Sequence, residues 1–116
     1  MKKIKRLGAG ARMSAAVVHG KTVYLAGQVA GDASTDVAGQ TKLVLAKIDA
    51  LLAEAGTDKS NILSANIWLA DISTFDQMNA VWDAWVSPGN APARATVESK
   101  LANPQYKVEI MLVAAR

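Results

Sequence analysis

Two hydrophobic periods alternate along the chain and divide it into elements. From Met13 to Val18 and from Thr22 to Val29 the chain is rich in apolar and β-branched residues, and His19-Gly20-Lys21 between these runs predicts a hairpin. A polar loop with Gly31, Asp32 and Ser34 follows. From Asp36 the period changes: Val37, Thr41, Val44, Ile48, Leu51, Leu52 and Ala55 recur at helical spacing, and Gly56 stands where a left-handed helix end belongs. Asn61 to Ala70 returns to strand character. Ser73 or Thr74, with Asp76 or Gln77 three residues on, predicts a capping box opening a second helix, whose apolar side is Phe75, Met78, Val81, Trp82 and Trp85. Pro88-Gly89-Asn90 ends that helix, and strands follow at about Arg94 to Leu101 and Lys107 to Ala114, joined through Asn103-Pro104.

The expected fold is an α+β sandwich in which both helices cover one face of a mixed sheet of about six strands. Counting faces adds a consequence. In the last strand Val108, Ile110 and Leu112 point one way and Glu109, Met111 and Val113 the other, so both sides are largely apolar. Two helices cover only one of them. The other side needs a second subunit or leaves an apolar patch in water, so the pattern itself implies oligomerisation.

Composition narrows the chemistry. At 116 residues, 51% hydrophobic, the chain has room for one domain over residues 1–116 and is too apolar for disorder. Much of the net charge of +3 lies in Lys2, Lys3, Lys5 and Arg6, which suits an edge strand kept soluble by lysines. A basic stripe with interleaved aromatics is missing, so nucleic acid is not the expected partner. Without cysteine there is no disulfide, thiolate catalysis or cysteine-held metal, and with His19 as the only histidine no metal site is expected. No cofactor is called for. With neither a signal peptide nor a membrane span visible, a cytoplasmic location is expected.

Charged residues on strand faces are the candidates for function, because an interior charge costs stability unless it has a partner or ligand. Arg94 lies in Ala91-Pro92-Ala93-Arg94-Ala95-Thr96-Val97-Glu98, and Glu109 in Tyr106-Lys107-Val108-Glu109-Ile110. If Ala93, Ala95 and Val97 face the helices, Arg94 points to the subunit-interface side and shares it with Glu109. Arg94's planar fork suits a small carboxylate ligand, and Glu109 suits general acid/base work. The plainer reading of Arg94 is an ion pair with Glu98 or Glu109, which spacing alone slightly favours because interface ion pairs are common; that of Glu109 is a pair with Arg94 or Lys107, of equal weight to acid/base work. Gly27, before Gln28, marks either a bulge or a close approach to a ligand. Asn79 falls on the polar side of the second helix and is uninformative by itself. Gly8-Ala9-Gly10 lacks the third glycine and the following helix of a dinucleotide fingerprint.

At these residues the sequence resembles the Rid (YjgF-like) reactive-intermediate deaminase family. The matching segments are Ala26-Gly27-Gln28, Asn79, Pro92-Ala93-Arg94 with Val97, and Lys107-Val108-Glu109-Ile110, in order over nearly the whole chain. Met78-Asn79, Trp82-Asp83-Ala84-Trp85-Val86 and Asn103-Pro104 to Ala115 are similar to the small bacterial YoaB-like branch. The resemblance implies a chorismate-mutase-like fold and a homotrimer with sites in the clefts between subunits. It also implies hydrolysis of imines or enamines such as 2-aminoacrylate to a 2-oxo acid and ammonia. Arg94 would then grip the substrate carboxylate and Glu109 activate the attacking water. The backbone around Thr96 would hold the amino nitrogen, with Gly27, Asn79 and Met13 completing the binding surface. Three positions depart from the family pattern. Met13 stands where many members carry a tyrosine, Ala26 where a serine often precedes Gly-Gln, and Met111 where a second acidic residue is common. The competing expectations are a non-catalytic trimer that senses or buffers small carboxylates, and an RNA-acting or translation-inhibiting protein.

Overall fold

The computed structural model describes residues 2–116, which form one six-stranded sheet and two α-helices. In chain order these are β1 (Ile4–Leu7), β2 (Ala16–His19), β3 (Thr22–Leu25), α1 (Val37–Glu54), β4 (Ile62–Leu69), α2 (Phe75–Trp85), β5 (Ala93–Glu98) and β6 (Val108–Ala115). Across the sheet the order is β1-β2-β3-β6-β4-β5. Only β4 and β5 pair in parallel. Because β3 and β4 both run antiparallel to β6, β3-α1-β4 is a crossover over β6 and β4-α2-β5 is a second, which puts both helices on one face as expected. The basic N-terminal segment is an edge strand with Ile4, Lys5 and Arg6 exposed.

Local chemistry sets the boundaries. Gly20, the first residue of the two-residue β2–β3 loop, has φ +62°, the left-handed geometry such hairpins demand. Asp36 caps α1 by accepting a hydrogen bond from the Gly39 amide. At the other end Gly56 has φ +85°, its amide donates to the Ala53 carbonyl, and the Thr57 amide reaches back to Leu52, so a Schellman turn closes the helix.

The start of α2 differs from the expected capping box. Thr74 occupies the cap position without a side-chain cap bond. Instead Asp71 accepts from both the amide and the hydroxyl of Ser73, capping a single 3₁₀ turn over Ile72–Thr74 that leads into the helix, and the Thr74 hydroxyl donates to the Asp71 carbonyl. The two candidate caps are consumed by the turn before the helix.

The sheet register sorts the side chains. Leu112-Ala65-Arg94, Ile110-Ile67-Thr96 and Val108-Leu69-Glu98 form rows on the helix side. Val113-Ser64-Ala93, Met111-Asn66-Ala95 and Glu109-Trp68-Val97 form rows on the open side. Gln40 is a fully buried polar residue of α1 that the apolar stripe did not flag. Its amide nitrogen reaches the carbonyls of Ala33, Thr35 and Gln105, and its oxygen accepts from the Lys107 amide. This bond set ties α1 to the chain just before β6 and so fixes where Glu109 begins its strand.

Candidate active site

Six residues stand out from the sequence, and the structure gathers five of them into two groups. Arg94 sits on the edge strand β5, beside Ala65, on the helix side. This corrects the expectation that the alanine/valine set faces the helices: Ala93, Ala95 and Val97 face the open side and Arg94 faces α2. An edge strand explains the difference. At the rim of the layer a long side chain can run along apolar surface and still reach polar ground at its tip. The half-buried guanidinium lies over Trp82, 5.3 Å from the ring centre, and 5.8 Å from that of Phe75. Its Nη1 donates to Asn79 Oδ1 at 2.7 Å.

Asn79, silent in the sequence by itself, therefore holds Arg94. The helical spacing Phe75-Asn79-Trp82 was the available signal, since residues three and four apart share a helix face. The ion pairs expected as the plainer reading do not form: Arg94's partner is a neutral amide, and Glu98 instead accepts from the Ile72 amide at 3.1 Å. Asn79 thus engages one nitrogen of the fork, and no ion pair within the chain neutralises the charge. Thr96 is two residues further on the same face. Among the described residues its Oγ1 is the one buried side-chain oxygen or nitrogen without a hydrogen-bond partner.

The second group is on the opposite face. Glu109 lies half-buried over Gly27, so closely that a Cβ at Gly27 would come within 2.1 Å of Glu109 Oε2. The bulge reading of this glycine holds. Tyr24 pairs with Val113 and Gln28 with Ile110, so three residues of β3's extension oppose two of β6, which is a bulge. The close approach is to the Glu109 carboxylate. That carboxylate also borders a pocket of about 170 Å³ lined by Trp68, Ser99, Lys100, Leu101 and Ala102. Met13, 58% exposed, lies in the loop before β2, whose Ala15 carbonyl accepts from the Ala26 amide, one residue from Gly27.

The two groups do not meet within one chain. Along β4, Arg94 is level with Ala65 and Glu109 with Trp68. That offset of three residues is about 10 Å along the strands, with two strand spacings, about 9.5 Å, across them. The side chains also leave opposite faces. A metabolite of a few carbons cannot touch both from a single chain, so a site that uses both needs two chains. Among the described residues no three His, Asp or Glu side chains converge as metal ligands, and no helix is long and apolar enough to cross a membrane.

Comparison with known proteins identifies relatives of the whole chain. A family model described as Endoribonuclease L-PSP matches residues 3–116. The RutC family protein YoaB of Escherichia coli is 50% identical, with 97% of each chain covered. A solved structure of a YjgF family member from Neisseria meningitidis superposes with TM-score 0.96 at 44% identity, covering 98% of this chain and 95% of that one. A more distant relative, 30% identical over 89% of this chain and 79% of its own, is named 2-iminobutanoate/2-iminopropanoate deaminase, from Rattus norvegicus.

Proposed function

The chain belongs to the YjgF/RutC family, which the family model describes as Endoribonuclease L-PSP, and from that membership we propose that it hydrolyses small imines or enamines to 2-oxo acids and ammonia, in clefts between the subunits of a homotrimer. The observation that carries the reading is Arg94, a guanidinium with a neutral partner, stacked on an aromatic ring and poised at a sheet edge. The deaminase name of the rat relative supports it.

In this reading Arg94 of one subunit takes the substrate carboxylate through the edge of its fork that Asn79 leaves free. Glu109 of the neighbour, held over Gly27, accepts a proton from water as that water adds to the imine carbon. A tetrahedral carbinolamine forms. Its nitrogen takes up the proton from Glu109, the carbinolamine hydroxyl gives its own proton back to that carboxylate as the C=O forms and the C–N bond breaks, and ammonia leaves with the 2-oxo acid behind. An iminium carbon is already electrophilic, so holding water and substrate in register supplies most of what the step requires. The open sheet face, with Tyr24 and Val97 about half exposed, supports assembly because it would otherwise leave apolar surface in water.

The test generates an imino acid in situ with an amino-acid oxidase and follows semicarbazide trapping with and without the protein. Competition by the wild type and none by Arg94→Ala or Glu109→Gln is the expected result. Turnover no faster than Arg94→Ala defeats the enzyme reading. Calorimetric binding of pyruvate without turnover would identify a carboxylate-binding trimer instead. A shift of RNA mobility with a steep salt slope would mark nucleic acid as the partner.

A further inference from the structure

The two helices do not close fully on each other. Between them lies a cavity of about 590 Å³, a volume ordinary for a small-molecule site, lined by residues of α1, α2 and the turn after α1 and by none of the sheet. Its floor is apolar, with Leu45 buried and Val81 partly so, and the small exposed side chains of Ala46, Ala80 and Ala84 leave the space unfilled. One wall is Trp85, and that ring is held in place. It lies against Trp82, 5.4 Å between ring centres, and its Nε1 donates to Asp49 Oδ2 at 3.0 Å. Lys59 Nζ stands 5.2 Å from the ring centre.

Charge gives the groove a direction. β3, β4 and β5 all run the same way, so α1 and α2, which return from their ends, lie parallel. Asp49, Trp85 and Lys59 therefore mark one end, where an ammonium group and a carboxylate share the same indole. Lys42 marks the other, seven residues or about 10.5 Å back along α1, and faces no acidic side chain among the lining residues. We propose that this groove binds an amphiphilic monocarboxylate, its head at Lys42 and its apolar body lying between the helices toward Trp85. The helices cover the face of the sheet opposite the open one, so subunits joined through the open face leave the groove accessible. The site stands on the helix layer alone and does not depend on the deaminase reading.

Octanoate and its neutral analogue octanamide make the test, read on the intact protein by calorimetry and by the indole N–H resonance of Trp85, which Trp85→Phe identifies. Octanoate should shift that resonance saturably, and octanamide should bind about fivefold more weakly, the size of one exposed ion pair. Lys42→Gln should remove the difference and Lys42→Arg keep it. Ala84→Leu, which fills the cavity from an exposed helical position, should abolish binding without lowering Tm, while Arg94→Ala should leave binding unchanged. Octylammonium binding more tightly than octanoate would make Asp49 the head-group site and overturn the proposal. Binding that survives Ala84→Leu but is lost in Arg94→Ala would move the ligand to the other site and overturn it as well. No shift of the Trp85 resonance would leave the groove to solvent or to a protein partner, and the proposal would fail.

Discussion

On the side of the sheet covered by α1 and α2, the central rows are closed hydrocarbon: Ile67, Leu69, Val108 and Ile110 have no exposed surface. On the other side the same strands present Tyr24 at 47% and Val97 at 50% exposure, with Met111, Val113 and Trp68 half-covered between them. The candidate residues divide along that line. Arg94 belongs to the covered face, at its rim, and Glu109 to the open face. The covered face is complete in one chain, so its polar outliers (Arg94, Asn79, Thr96) need a reason beyond folding. The open face is apolar without a cover, so its carboxylate becomes part of a site only when something is laid against it.

Mutations on the two faces should therefore have effects of different kinds. The largest is expected in the closed layer: Ile67→Ala should cost about 3 kcal/mol in urea unfolding, whereas Val97→Ala, half exposed, should cost less than about 0.5 kcal/mol in a monomer. A Val97→Ala cost near that of Ile67→Ala would mean the open face is buried in solution as firmly as the core. Arg94→Lys should lower kcat/KM about 100-fold, about 2.7 kcal/mol, since a point charge cannot reproduce a fork held by Asn79; full activity in that variant would count against carboxylate clamping. Val113→Asp places a charge in the middle of the open face. It should leave the circular dichroism of the fold unchanged and reduce the particle in light scattering to the 12.2 kDa chain.

A smaller effect is expected at Gly27→Ala. The nearest atoms to the new methyl group all belong to the Glu109 side chain, which can turn aside, so Tm should barely change, but the displaced carboxylate should lower kcat about tenfold. The smallest effect concerns acid. Asp32, Asp58 and Asp71 each accept from the hydroxyl and the amide of a serine two residues on, and these bonds hold their carboxyls below 3.8. A carboxyl that binds its proton less readily folded than unfolded adds stability that is whole above pH 3.8 and is lost as the pH falls through the lower folded value. Thermal melts should therefore decline gently below pH 4, and replacing Ser34, Ser60 and Ser73 with alanine should flatten that decline.

Much of the fold was legible because it is written in local spacing. The stripe of α1 and its Gly56 end are found where the periodicity put them, and the Asp36 cap, which the sequence reading did not name, is likewise made to an amide three residues on. The two faces of β6 were legible too, since strand alternation has a period of two. Other features depended on partners far along the chain. Gln40 reads as polar inside an apolar stripe until Gln105 and Lys107 arrive beside it. Alternation divides β5 into two sets but cannot say which set meets the helices; the register of Arg94 with the buried Ala65 decides it.

The sequence by itself determined the elements, their order, the apolar character of both sheet faces and the identity of the charged residues worth watching. Only the tertiary structure decided that Arg94 leans on Trp82 and Asn79, that Glu109 closes over Gly27, and that the two stand on opposite faces. The reason is physical. Helix and strand periods are set by neighbours in sequence, whereas the face a side chain takes depends on strand register, which long-range packing fixes and a shift of one residue reverses.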